Sequence, residues 1–239
     1  MVKYPDRKDL NGIVVVNKPG GMTSHDVVEQ IRKKLRMQRV GHAGTLDPMA
    51  TGVLIVLIGR GTRLFEKFAH FDKAYRATMI LGRQTWTSDI EGKIIDNRPF
   101  SHVTRGMVEK IFNDFIGVRD QVPPMVSAVK VNGKRLYELA RQGKEVARSP
   151  RRVRFDRIEL LNFDLPYVEF LLECSKGTYV RQFAEDVGKQ LLCGACVSQI
   201  ERTKVGPYRI EDAIKLDDIK EIDVKDFIDE INLHEEKGN

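Results

Sequence analysis

Cysteine is scarce in this chain: three residues, Cys174, Cys193 and Cys196, in 239. Three thiols do not make the paired framework that staples small extracellular domains. Cys193 and Cys196 have C-x-x-C spacing, but a structural zinc site takes about four ligands. No second such pair and no nearby histidine pair accompanies them. Among Leu191, Leu192, Val197 and Ile200 they read as buried, inert thiols. Long apolar runs are lacking too, and nothing approaches the roughly 18 residues of a membrane-spanning helix. The residues after Met1 have no apolar core of a signal peptide. Repeats and low-complexity stretches are also missing. A cytoplasmic protein with no membrane, metal or cofactor requirement, and a monomer, is the expectation.

What is present fits a globular chain: 41% hydrophobic and 31% charged residues, with length enough for a substantial core. The formal net charge is only +6, but the basic residues cluster. Arg32, Lys33, Lys34, Arg36 and Arg39 form one group; Arg148, Arg151, Arg152, Arg154 and Arg157 form another. Clustered Arg and Lys suit a phosphate backbone, and equally an acidic protein surface.

Against that positive background, residues 41–52 (GHAGTLDPMATG) stand apart, with three glycines, one histidine and one carboxylate. Glycine lets another backbone or a ligand approach closely, while Pro48 fixes its own φ and biases Asp47 toward an extended conformation. A lone carboxylate facing a polyanion does not serve general attraction. It is a candidate for chemistry.

The hydrophobic pattern predicts strands at residues 13–16, 53–58, 75–81, 153–161 and 168–174. Residues 17–21 read as a turn. Thr23 with Asp26 predicts a capping box opening a helix to about Leu35. Thr104 predicts a second helix with Met107, Val108, Ile111, Phe112 and Phe115 inward, closed by Gly117. Residues 121–130 should begin as a loop and end as a short strand. Short helices are expected at 136–142, ending at Gly143, and at 223–233. A further helix after a turn at 175–179 should bury Val180, Phe183, Ala184, Val187, Leu191 and Leu192. Strands and helices mix without a βαβ rhythm, so the fold class is α+β (mixed α/β).

Five segments carry a resemblance: residues 12–24 (GIVVVNKPGGMTS), 41–52, 75–77 (YRA), 121–130 (QVPPMVSAVK) and 174–181 (CSKGTYVR). In this order they resemble the TruB-type tRNA pseudouridine-55 synthases, over most of residues 12–208. The resemblance implies a pseudouridine synthase-like fold, a central, largely antiparallel mixed sheet flanked by helices. It implies a catalytic domain over 1–210, with 211–239 a short tail where many relatives carry a PUA-like RNA-binding domain, here absent or truncated. It implies isomerisation of uridine 55 in the tRNA T-loop to pseudouridine, with no cofactor. Asp47 resembles the catalytic aspartate, Tyr75 the residue on the base and Arg181 the partner of Asp47. His42 resembles the residue that enters the T-loop, and Lys18 and Pro19 a structural motif under the active site. RNA contacts are further expected at Arg32, Lys33, Lys130, Lys176 and Tyr179.

The chemistry of these side chains is consistent with those roles. A base inside a folded loop must be extruded before any group reaches its sugar. His42, read as lying at a glycine-flanked loop tip, could fill the gap. Tyr75 offers a stacking partner worth about 1–3 kcal/mol. A guanidinium beside a buried carboxylate keeps it ionised, so Asp47 could act as nucleophile or as base at the sugar. Taken singly, Asp47 is a turn residue, Tyr75 edge packing and Arg181 a solvated charge; their occurrence together and in order sets them apart. A non-catalytic tRNA-binding or folding chaperone on the same fold is the alternative, and it predicts that Asp47 is dispensable.

Overall fold

The computed structural model describes residues 10–127, 130–131, 133–141, 144 and 146–225. It divides into two compact units: Met1–Lys73 with Glu201–Asn239, and Ala74–Ile200.

In the first unit, the strand Gly12–Lys18 pairs antiparallel with Thr51–Ile58, from Gly12 opposite Ile58 to Lys18 opposite Gly52. Asn17 and Lys18 therefore belong to the ladder, not to the turn expected at 17–21, because the register continues to Gly52. Val40–Ala43 pairs antiparallel on Thr51–Ile58, Glu201–Arg202 pairs parallel with Thr51–Gly52, and Ile214–Lys215 pairs parallel with Val16–Asn17. β-Branched and leucine side chains fill both faces of Thr51–Ile58, which is buried from Gly52 onward. Ile13, Val15, Ala43, Val53, Ile55, Leu57, Leu64, Phe68 and Val205 form one core cluster, flanked by Phe71 and Tyr208.

The helix Ser24–Leu35 begins at the expected box. Thr23 Oγ1 accepts from Asp26 N at 3.1 Å, and Asp26 Oδ2 accepts from Thr23 N at 2.9 Å. The Thr23 hydroxyl, donating to Asp26 Oδ2 at 2.7 Å, and after it Thr23 N hold the Asp26 carboxyl below its usual range. Val27, Val28, Ile31 and Leu35 are buried at helical spacing.

In the second unit, Lys73–Leu81, Tyr167–Cys174, Arg151–Asp164 and Gly117–Gln121 lie in that order across the sheet. Tyr75, Ala77, Met79 and Leu81 are buried on one face, as alternation requires. Phe112, Phe115, Phe155, Phe170 and Phe183 pack with ring centroids 5.2–5.9 Å apart where they meet. They join the helices Arg105–Phe115 and Val180–Gln190 to the strands.

Several local expectations are corrected. Met107 is exposed, because Val108 and Phe112 already form the buried face of its helix. Gly117 does not close that helix but opens the next strand at φ +107°. Leu192 is exposed because its helix ends at Gln190 and the chain reverses there: Cys193 and Gly194 both donate to Gly188 O. Gln121 ends a strand rather than beginning a loop. The expected ends at Gln142 and Gly143 lie outside the described residues. The helix expected at 223–233 does not begin at Asp223, which ends a 3-10 turn, because Lys225 pairs with Ile13; the residues beyond 225 lie outside the described ones.

The cysteines meet their expectation. All three are buried, and burial pushes the Cys193 and Cys196 thiols above their usual range.

Candidate active site

The first unit presents Asp47 on a loop between Val40–Ala43 and Thr51–Ile58. The loop is held through its backbone. Ser24, at the first helical position and buried, accepts from Leu46 N at 2.9 Å and donates to Leu46 O at 3.2 Å. Lys18 is fully buried and donates from Nζ to Pro19 O (2.8 Å), Met22 O (2.6 Å) and Pro48 O (3.2 Å). Gly21 N also donates to Pro48 O at 2.9 Å, and Ala50 N closes a turn on Asp47 O at 3.1 Å. Arg202, 2% exposed, donates from Nε to Val53 O (2.7 Å), from Nη2 to Gly44 O (3.0 Å) and from Nη1 to Thr45 O (3.3 Å). The residues on both sides of Asp47 are thus fixed by buried donors, and Asp47 itself is half-buried. Pro19, next to the sequestered Lys18, is exposed.

His42 is not at a loop tip. It lies on the strand Val40–Ala43 opposite Val56, half-buried, because Val40 and Ala43 pin the strand into the core. Burial, and behind it the charges of Arg202 and His25, lowers its pKa to about 4. The ring is therefore neutral at pH 7, and its Nδ1 is buried without a hydrogen-bond partner. Arg32 is half-buried. It pairs with Glu29 and donates from Nη2 to Val40 O at 2.7 Å, tying its helix to the His42 strand. Lys33 is exposed on that helix.

In the second unit, Tyr75 lies at the start of its buried strand face and is 8% exposed. Arg181 is the second residue of the helix Val180–Gln190 and is 2% exposed. It donates to Thr87 O and Val126 O, both at 2.8 Å, and its Nη1 stands 3.5 Å from Asp89 Oδ2. Asp89 Oδ1 in turn accepts from Thr87 Oγ1 at 2.6 Å and Glu91 N at 3.1 Å. The turn before the helix is fixed by Gln121, which accepts from Tyr179 N at 2.8 Å and donates to Tyr179 O at 3.1 Å. Tyr179 is half-buried and Lys176 exposed. Lys130 lies on the two-residue strand Lys130–Val131. Asp47 and His42 thus belong to one unit, Tyr75, Arg181, Tyr179 and Lys176 to the other.

Residues 32–180 match the N-terminal domain model of the TruB family of pseudouridylate synthases, and residues 181–235 match the C-terminal domain model of tRNA pseudouridylate synthase B. The chain belongs to the TruB family. A tRNA pseudouridine synthase B of Opitutus terrae is 45% identical over 90% of this chain and 89% of its own length. One from Clostridium tetani is 46% identical over 92% and 76%. Among solved structures, a Cbf5–Nop10–Gar1 complex matches with a TM-score of 0.69 at 28% identity, covering 90% of this chain and 59% of that one. An H/ACA RNP bound to a substrate RNA containing 2′-deoxyuridine matches with a TM-score of 0.65 at 24% identity, covering all of this chain and 64% of that one; it speaks to the fold alone.

The TruB motifs gave no signal for Arg202, Ser24, Gln121 or Asp89. Ser24 and Gln121 stand inside two of them, and their positions beside the turn residues are the only trace the sequence offers. Arg202 lies outside all five, and its acceptors are 149–158 positions away. No group of three or more His, Cys, Asp or Glu suited to a metal ion occurs among the described residues. No helix there is long and apolar enough to cross a membrane.

Proposed function

We propose that this tRNA pseudouridine synthase isomerises uridine 55 of the T-loop, with Asp47 acting on the reacting nucleotide. The N1–C1′ bond breaks, the base turns, and a C5–C1′ bond forms; C5 gives up a proton and N1 gains one, so the reaction balances without oxidant or added group. One observation carries the reading: three buried side chains, Lys18, Ser24 and Arg202, each bond the backbone of the Asp47 loop, at Pro48, Leu46, Gly44 and Thr45. Buried donors devoted to one loop preorganise what that loop carries. The carboxylate serves as nucleophile or as base at the sugar, and both routes need this placement.

The base leaves the T-loop to react. In this reading Tyr75 stacks on it, Arg181 keeps Asp47 ionised, and a neutral His42 occupies the space left in the loop. Lys33, Lys130, Lys176 and Tyr179 contact the RNA, and Pro19 shapes the floor beside Lys18. Catalysis resides in residues 1–210, and the protein works in the cytoplasm. The test is incubation of the protein with an unmodified T-arm hairpin, followed by mapping of pseudouridine. Conversion of one T-loop uridine is expected. Tight binding with no conversion would favour the chaperone reading instead.

A further inference from the structure

The Asp47 loop, residues 44–50, leaves one strand after Ala43 and enters another at Thr51, and one side chain bonds both to its outgoing end and to that second strand. Arg202 Nη2 and Nη1 reach Gly44 O and Thr45 O on the outgoing side, and its Nε reaches Val53 O on the returning side. A guanidinium is the only side chain with a rigid fork of donors wide enough for such a bridge. The backbone of Arg202 is fitted just as closely. Arg202 pairs in parallel register with Gly52, and a Cβ on Gly52 would stand 2.3 Å from Arg202 O. Gly52 has φ +101°, which L side chains rarely adopt. The two strands thus meet at Gly52 where no side chain fits between them, and the Arg202 guanidinium reaches on to the loop's first residues.

We propose that Arg202 is a positioning residue for Asp47, a staple that ties the outgoing end of the 44–50 loop to the strand that follows it and so fixes the placement of the carboxylate. The inference rests on Asp47 being the reacting group. These three bonds go to backbone acceptors and hold the loop by geometry, and a guanidinium, always protonated, supplies no proton. Its charge also contributes, after burial, to keeping His42 neutral.

Three variants test it on the full chain: Arg202→Lys, Arg202→Gln and Asp47→Asn. Each is measured for melting, for T-arm hairpin affinity and for single-turnover conversion at saturating hairpin. Misplacing a reacting group by about 1 Å costs up to about 100-fold. Arg202→Lys keeps charge and length but loses the fork. Its single-turnover rate is expected to fall about 10- to 100-fold, with hairpin affinity changed less than about threefold. Guanidinium ion added to Arg202→Gln is expected to restore part of the rate, and sodium ion at equal ionic strength none. A purely structural role would move melting and affinity together and would show no such rescue of the rate.

A rate for Arg202→Lys within about threefold of wild type overturns the role. So does a loss confined to affinity, or failure of both arginine variants to fold, which would assign Arg202 to the core alone. If Asp47→Asn is inactive while Arg202→Lys is not, only this inference falls. If Asp47→Asn converts the hairpin at the wild-type rate, both fall.

Discussion

Asp47 and Arg181 are held in opposite ways. The Asp47 loop is fixed by the side chains of other residues, Lys18, Ser24 and Arg202, which bond its neighbours' backbone. Arg181 is fixed by its own side chain, whose guanidinium bonds Thr87 O and Val126 O and pairs with Asp89. The difference separates two tasks. A loop clamped by its backbone can carry a side chain that is exchanged at little cost to the fold. A buried guanidinium that bonds two carbonyls and a carboxylate is part of the fold, whatever else it does.

Arg181→Met is the strongest way to break the comparison. It leaves Asp89 buried without its cation, and such losses run to about 3–5 kcal/mol. A fall of about 3 kcal/mol in unfolding free energy is expected by denaturant titration, together with loss of conversion. An unchanged stability would mean that the Arg181 network is not structural.

Lys18→Met attacks the other side. It removes the donor to Pro19 O, Met22 O and Pro48 O. Leaving such acceptors unpaired costs about 1–3 kcal/mol, so a loss of about 2 kcal/mol is expected. Hydrogen exchange should show it concentrated in peptides covering 18–22 and 44–50. A loss spread evenly over both units would blur the contrast.

His42 sharpens the comparison through pH. Its folded pKa of about 4 lies below the ordinary 6.5, so the unfolded chain binds the extra proton first as pH falls. Stability is full above about pH 6.5, declines between about 6.5 and 4, and levels off below. Between pH 7 and pH 5 the contribution is at most about 2 kcal/mol. His42→Gln should lose that part of the pH dependence; an identical slope in the variant and the wild type would contradict the burial of the ring.

The smallest effect belongs to the exposed basic face. Lys33→Ala should weaken hairpin binding modestly and reduce the salt slope by about 1, irrespective of loop structure. Arg32, tied to Glu29 and Val40 O, should instead loosen the His42 strand when changed to alanine, visible as faster exchange at 40–43.

Local rules made much of the fold legible. The Thr23–Asp26 box involves four consecutive residues, and the alternation of Tyr75 to Leu81 needs only one strand. The residues of the candidate site stood in recognisable motifs, but what holds them did not. Arg202 acts on carbonyls roughly 150 positions away, and Gln121 on a turn 58 positions on. Such pairs exist only once the chain has folded. His42 reads as a loop residue because its flanking glycine suggests flexibility, while pairing opposite Val56 is decided by the core beneath it. Leu192 reads as buried because helical periodicity carries no mark of the turn that ends it.

The central claim is that the Asp47 loop is a scaffold for one reacting carboxylate, and isotope release tests it most directly. A T-arm hairpin carrying [5-³H]uridine at the target position is saturated with wild type or with Asp47→Asn, and tritium in water is followed over a single turnover. Forming the C5–C1′ bond must expel the C5 hydrogen, so wild type should release one tritium per converted hairpin. Asp47→Asn should bind equally and release tritium at least about 100-fold more slowly. Release by Asp47→Asn within tenfold of the wild-type rate, a difference under about 1.4 kcal/mol, would contradict the account.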